Sequence, residues 1–265
     1  MIITKIMFLN NIFFAWKKRR FWWYTATSRT RARFVRTTLG SFWLGFSNLL
    51  SIITLGVVYG TVFAVEDFKS YFIYLGMGLV IWNTMFSSIS SAPYLFSHNS
   101  ENIKNMNINP LFYTLEEWSF QIQTFFQSFS LVFFVLLIIN QGLIINLLFF
   151  SWLPLINLVL FIYWFPLLIC LIGVRYTDFS QLVPIVLQLV FLTSPILYRK
   201  DNLGNLDWIT NYNPIYKILD PLRMSIIEGQ IDYKIAFLTL FLNLLGLLCA
   251  LILLHKQSKK LPFLV

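Results

Sequence analysis

The chain has 265 residues, of which 58% are hydrophobic and 12% charged, with a net charge of +9. Soluble domains run nearer ~45–50% apolar and ~25% charged, so this chain holds too little polar surface to coat a water-soluble particle. A soluble enzyme, a disordered chain and a disulfide-built secreted scaffold are excluded together, which leaves an integral membrane protein.

The first feature along the chain is the apolar stretch Ile6–Trp16. It precedes a basic cluster instead of following one, and no small-residue cleavage site comes after it, so no cleaved signal peptide is expected here. Trp22–Trp43 comes next. Arg29, Arg33 and Arg36 stand at i, i+4 and i+7 on one helix face, while Val35, Leu39 and Phe42 gather on another. A basic face beside an apolar one predicts a helix lying in the membrane interface. Two readings stand for it: an anchor that fixes orientation, or a surface that meets a cytoplasmic partner or an anionic lipid head group.

Five stretches then lack any Asp, Glu, Lys or Arg: 37–65, 70–100, 118–174, 179–198 and 235–255. One helical crossing needs about 20 apolar residues. The third stretch, at 57 residues, must double back, and Asn140-Gln141-Gly142 is the predicted hairpin tip because Asn and Gly favour turns. Six spans follow: Leu44–Ala64, Tyr71–Ala92, Ser119–Ile139, Leu143–Val174, Phe179–Tyr198 and Ile235–Leu254. Pro154 and Pro166 are expected to kink or break the fourth. Runs such as Leu131–Ile139 are apolar at every position, which excludes the alternating strands of a membrane barrel. The fold class is thus all-α, a single six-span membrane domain over residues 1–265.

Between spans two and three lies Phe96–Glu117, in which Ser100–Met106 is predicted as a short helix capped by Ser100. It is read either as a solvated loop or as a docking element. Between spans five and six lies Arg199–Tyr233. Asn213-Pro214 and Asp220-Pro221 each pair a cap residue with Pro at a first helical position, and Gly229 is a plausible stop. Two short amphipathic helices are expected there, lying on the outer interface or dipping into it.

Residues 1–43 hold nine basic residues and no acid, which places the N-terminus in the cytoplasm, and six spans return the C-terminus to the same side. That arrangement puts 14 Lys and Arg inside and 6 outside, in line with the positive-inside rule. The basic excess is therefore read as a topology signal and not as a nucleic-acid patch.

The chemistry is sparse. No Gly is followed by Lys, so the phosphate-cradling G-x-x-x-x-G-K loop is missing, and no G-x-S-x-G elbow occurs. His98 and His255 have no metal-ligand spacing, and Cys170 and Cys249, inside spans, read as small buried hydrophobes. Apart from Tyr, Cys and His98 at a boundary, the spans carry no ionisable group, unlike ion-coupled carriers. Energy for any transport must then come from a partner. The aromatics of spans three and four, Phe125, Phe129, Trp152 and Trp164 among them, are read as lipid-facing and packing bulk, or, together with Gln121, as a lining on which sugar rings stack.

Several patches, in this order and spacing, resemble the membrane subunits of ABC-2 type polysaccharide exporters, the group that moves O-antigen, teichoic acid and capsular glycans. They are Arg33–Trp43 (RFVRTTLGSFW), Gly78–Asn83 (GLVIWN), Gly173–Asp178 (GVRYTD) and Thr193–Tyr198 (TSPILY), with Asn213-Pro214 and Arg223 outside. The resemblance implies a homodimer of six-span subunits in the cytoplasmic (inner) membrane, each bound beneath it to a separate subunit that holds ATP and Mg; no cofactor is implied for this chain. Carried onto this sequence, coupling to that subunit falls on Arg29, Arg33 and Arg36 and on Glu101, Asn102, Lys104 and Asn105. The outer gate falls on Pro195, Tyr198, Asn213, Pro214 and Arg223. The implied substrate is a polyprenyl-pyrophosphate-linked glycan, with Arg33 and Arg36 placed by charge and location to meet its pyrophosphate. The rival readings are a transferase acting on lipid-linked sugars, whose acid candidates Glu116, Glu117 and Asp178 are scattered, a related permease with another amphipathic cargo, and a scaffold.

Overall fold

The computed structural model describes residues 13–105, 108–206, 208–258 and 260–265, and every regular element among them is helical. Ile6–Trp16 therefore falls largely outside the described residues, as do Met106 and Lys259. The helices run α1 (Arg19–Phe34), α2 (Phe42–Val62), α3 (Phe68–Ser91), α4 (Leu95–His98), α5 (Ser100–Asn105), α6 (Pro110–Ile139) and α7 (Leu143–Phe150). They continue as α8 (Trp152–Gly173), α9 (Phe179–Thr193), α10 (Trp208–Tyr212), α11 (Tyr216–Glu228), α12 (Tyr233–Gln257) and α13 (Leu261–Leu264).

Five of these are long and apolar enough to cross a bilayer: α2, α3 with its extension to His98, α6, α8 and α12. The expected fifth span behaves differently. Its helix, α9, stops after 15 residues, about 22 Å at ~1.5 Å per residue, short of a hydrocarbon core of about 30 Å. Ser194–Leu197 then leaves the helix and stays buried, with Ser194 in extended conformation.

Three other expectations are corrected. The N-terminal helix ends at Phe34 and not at Trp43, because the chain turns at Gly40 (φ 56°) before α2 begins. Arg36 consequently lies beyond the helix that carries Arg29 and Arg33. The fourth span is broken beside Pro154 as expected, into two helices that meet at Ser151, while Pro166 stays inside the second. Pro154 cannot donate to the Phe150 carbonyl and its ring crowds it, so the helix restarts with the proline in its first turn. Between α9 and α12, Asp220-Pro221 does not open a helix of its own. Pro221 sits inside α11, whose start is set by the Asn213 carboxamide accepting from the Ile215 and Tyr216 amides at 3.0 and 3.1 Å. Gly229 (φ 65°) ends it. Cys170 is buried, but Cys249 is exposed on the apolar outward face of α12.

α3 is the central post: 72% of its most apolar window is buried, against 17% for α2 and 22% for α12, which present apolar faces outward. Helix–helix adhesion in lipid depends on close packing and interhelical hydrogen bonds, since hydrocarbon offers no hydrophobic drive between helices. Both devices join α8 to α12. Asn157 donates to Thr239 Oγ1 and the Ala236 carbonyl, each at 3.0 Å, and Trp164 Nε1 donates to Asn243 Oδ1 at 2.8 Å. Gly246 lets the Trp164 indole lie against the α12 backbone, where a Cβ would stand 2.6 Å from the ring. A second polar knot joins α2, α3 and α6: Asn48 donates to Ser128 and accepts from Asn83.

Candidate functional site

The buried non-helical segment after α9 needs partners for its carbonyls, because irregular backbone at membrane depth persists only where protein satisfies it. Three side chains supply them. Tyr71 donates to the Leu197 carbonyl at 2.6 Å. Tyr74 donates to the carbonyls of Pro195 and Tyr198 at 3.0 and 3.3 Å. Arg223 Nη1 donates to the Pro195 carbonyl at 2.8 Å. From the other side, the Asn213 amide donates to Ser194 Oγ at 2.7 Å, and Tyr198 Oη donates to the Leu192 carbonyl at 3.0 Å.

Arg223 is the hub. It is 1% exposed, the largest fully buried side chain among the described residues. Its guanidinium carbon lies 3.8 Å from the centroid of the Tyr74 ring, and Nη2 pairs with Asp220 and stands 3.5 Å from Tyr216 Oη. Its Nε has no hydrogen-bond partner among the described residues. Gly78 makes room for the fork: a Cβ there would meet Nη1 at 3.4 Å. Burial, and then the Asp220 charge, push the Tyr216 phenol above its ordinary range, so it stays a neutral donor and acceptor. Pro195, Tyr198, Asn213 and Arg223 thus converge on one structure that ties α3, α9 and α11 together, with Pro214 exposed at its edge. The sequence offers Asp220 only as a helix cap and Ser194 only as part of the Thr193–Tyr198 patch, and it gives Tyr71 and Tyr74 no role. The Asp220–Arg223 spacing of i, i+3 was the one local signal available.

At the opposite end of the spans, α1 is clamped to the start of α6. Arg29 Nη1 lies 2.6 Å from Glu117 Oε2, with its guanidinium 4.2 Å from the centroid of the Phe120 ring. Glu117 Oε1 also accepts from Gln121 Nε2 at 2.8 Å and Ser91 Oγ at 3.3 Å, which connects α1, α3 and α6 through one carboxylate. Trp22 packs on Trp118, whose indole donates to the Val159 carbonyl of α8 at 3.0 Å. These contacts link α1 to α3, α6 and α8. Arg33 and Arg36 are exposed, as are Glu101, Asn102, Lys104 and Asn105 on or at the end of α5, which is held down by buried Ile103.

Of the aromatic set, Phe125 and Phe129 are brought together, with ring centroids 5.3 Å apart. Gln121, Phe125 and Phe129 are 3%, 1% and 6% exposed; the two rings pack into the core, and Gln121 lines a small cavity beside Glu117 and Trp118. Trp152 is exposed at the α7–α8 break, and Trp164 is occupied by Asn243 and Gly246. Period and composition alone could not separate core from lining.

A helical membrane protein with five helices long and apolar enough to cross a bilayer, a braced non-helical segment and an N-terminal helix clamped to α6 is the class that this geometry defines. Residues 22–227 match the family described as ABC-2 type transporter, and the chain belongs to that family. Its members are transport subunits that work with a separate ATP-binding subunit. Two relatives from Klebsiella pneumoniae, both named O-antigen export system permease protein RfbA, are 22% and 23% identical over 224 and 227 residues. Each alignment spans 82% of this chain and 85% of the relative.

Proposed function

We propose that this chain is the permease subunit of an exporter that moves a lipid-linked polysaccharide across the cytoplasmic membrane. Two copies form the pathway, and a separate subunit beneath each binds ATP and Mg and supplies the work. The observation that carries this reading is the similarity, over most of both chains, to permeases named for O-antigen export. In this reading α9 and the buried segment after it together act as the fifth of six crossings, both termini are cytoplasmic, and α10 and α11 lie at the outer exit. Arg33, Arg36 and the exposed residues of α5 face the ATP-binding subunit, and Arg33 and Arg36 also meet the pyrophosphate of the cargo at the cytoplasmic entrance.

The test is direct. A tagged chain, solubilised with its native membranes, is expected to carry an ATP-binding subunit with it and to change that subunit's ATP hydrolysis. Single cysteines placed at the two termini are expected to resist a membrane-impermeant thiol reagent in intact cells. Transfer of sugar by the purified chain without a partner, or labelling of one terminus from outside, overturns the proposal.

A further inference from the structure

The helix α5 is six residues long, well short of the roughly 12–15 at which a helix holds its shape alone. Glu101, Asn102, Lys104 and Asn105 are exposed on it, and Ile103 is its single buried side chain. What seats α5 must come from elsewhere in the chain. Besides α4, which precedes it, α5 packs on α13. Leu261 of α13 is fully buried and shares one apolar cluster with Ile103, together with Phe96 of α4, Leu171 of α8 and Leu254 of α12. Leu261 is also the single buried side chain of α13, and Val265, one turn further on, is half-buried against the same cluster. Phe263, on the other side of that turn, is exposed.

The path from α13 into the spans is short. The Ser258 amide donates to the Leu254 carbonyl and the Lys260 amide to the Gln257 carbonyl, each at 2.8 Å, so the chain turns into α13 directly off the end of α12. Higher up, α12 is bonded to α8 through Asn157–Thr239 and Trp164–Asn243. The Arg29–Glu117 clamp runs instead from α1 to α3, α6 and α8. The α5–α13 contact is thus a separate route, and it enters the spans through α12. We infer that Leu261 is a positioning residue: with Ile103 it seats α5, and movement of α5 passes through this contact into the α8–α12 pair. The inference rests on the reading of α5 as a face that meets the ATP-binding subunit.

The experiment uses the full chain in lipid nanodiscs, first alone and then with its ATP-binding subunit. Alone, hydrogen exchange is read at the Ile103 amide, which donates to the Asn99 carbonyl at 2.9 Å. Leu261→Ala leaves a gap under α5 and is expected to speed that exchange about tenfold while amides in the middle of α3 keep their protection. Leu261→Met keeps the volume and is expected to restore the wild-type rate. Phe263→Ala, on the exposed side of α13, is expected to leave it unchanged. With the ATP-binding subunit, Leu261→Ala is expected to lower the glycan exported per ATP hydrolysed, with KM for ATP at its wild-type value and Leu261→Met again restoring export. Unaltered Ile103 exchange in Leu261→Ala, equal acceleration in Phe263→Ala, or loss of protection in α3 as well overturns the positioning role. Faster exchange with export per ATP unchanged overturns the transmission. Exchange is read on this chain without a partner, so its outcome rejects the inference by itself, whereas absence of export by wild type rejects the function on which the inference rests.

Discussion

Replacing Arg223 by Met removes a charge from the interior while keeping most of the side chain's bulk. The Pro195 carbonyl loses its 2.8 Å donor but keeps Tyr74 Oη, a loss of about 1 kcal/mol. The guanidinium 3.8 Å from the Tyr74 ring centroid is desolvated, and losing that contact costs about 1–2 kcal/mol. Breaking a buried ion pair costs about 3–5 kcal/mol when the remaining charge stays buried, but Asp220 keeps 31% of its side chain in contact with the surroundings and can rehydrate, so that contribution is reduced well below this range. The unsatisfied Nε leaves with the side chain, which offsets part of the loss. A net destabilisation of about 2–3 kcal/mol is expected, concentrated on Ser194–Tyr198 and α11. Hydrogen exchange in nanodiscs reads it: the amides of Ile196–Tyr198 should lose protection while those in the middle of α3 keep theirs. Arg223→Lys should recover only part, because an ammonium cannot make the planar fork. Asp220→Asn in the Arg223→Met background should cost less than it does alone, by about 1 kcal/mol. Unchanged protection of Ile196–Tyr198 in Arg223→Met would refute the reasoning.

Arg29→Gln and Glu117→Gln should each reduce coupling between ATP hydrolysis and transport. Their double-mutant cycle in thermal unfolding should give only about 0.5–1 kcal/mol, since Arg29 is 47% exposed and solvent screens the pair. A large drop in hydrolysis-coupled export with that small stability effect marks a transmitting contact; equal loss of both marks a structural one. Gly246→Ala places a methyl 2.6 Å from the Trp164 ring and should destabilise the α8–α12 pair by about 1–3 kcal/mol, read as a lowered thermal midpoint that Trp164→Leu relieves. Asp67 caps α3, and the Ser70 hydroxyl and then the Ser70 amide hold its pKa below the ordinary 3.8. A lowered folded-state value means that the cap's contribution is present above the unfolded value and lost as pH falls through the folded one. The amides of Ser70 and Tyr71 should exchange faster below about pH 4, and Asp67→Asn should remove that dependence.

The membrane class, the helical content and the hairpin at Asn140–Gly142 were legible because charge-free length and turn chemistry are local properties. The turn is seen where the Gly142 amide meets Asn140 Oδ1 at 2.9 Å. The start of α11 at Asn213-Pro214 was legible for the same reason, since its cap bonds reach only two and three residues ahead. The end of α9 was not. Leu192–Tyr198 carries no charge in sequence, and only Tyr71, Tyr74 and Arg223, brought from distant positions, make a non-helical backbone tenable there. The early start of α6 was missed because Glu116 and Glu117 look like loop charges until Arg29 arrives from a residue 88 positions away. Phe125 and Phe129 share their composition with lipid-facing neighbours such as Phe126 and Phe134, and only the packing of α3 shows which rings turn inward.

The most direct test of the account is transport by the purified chain in sealed vesicles loaded with lipid-linked glycan from its own cells. With its ATP-binding subunit and Mg-ATP, glycan should reach the far side, and without either it should stay. Glycan crossing with this chain alone, or crossing undiminished when hydrolysis is blocked, would contradict a permease that depends on a partner for its work.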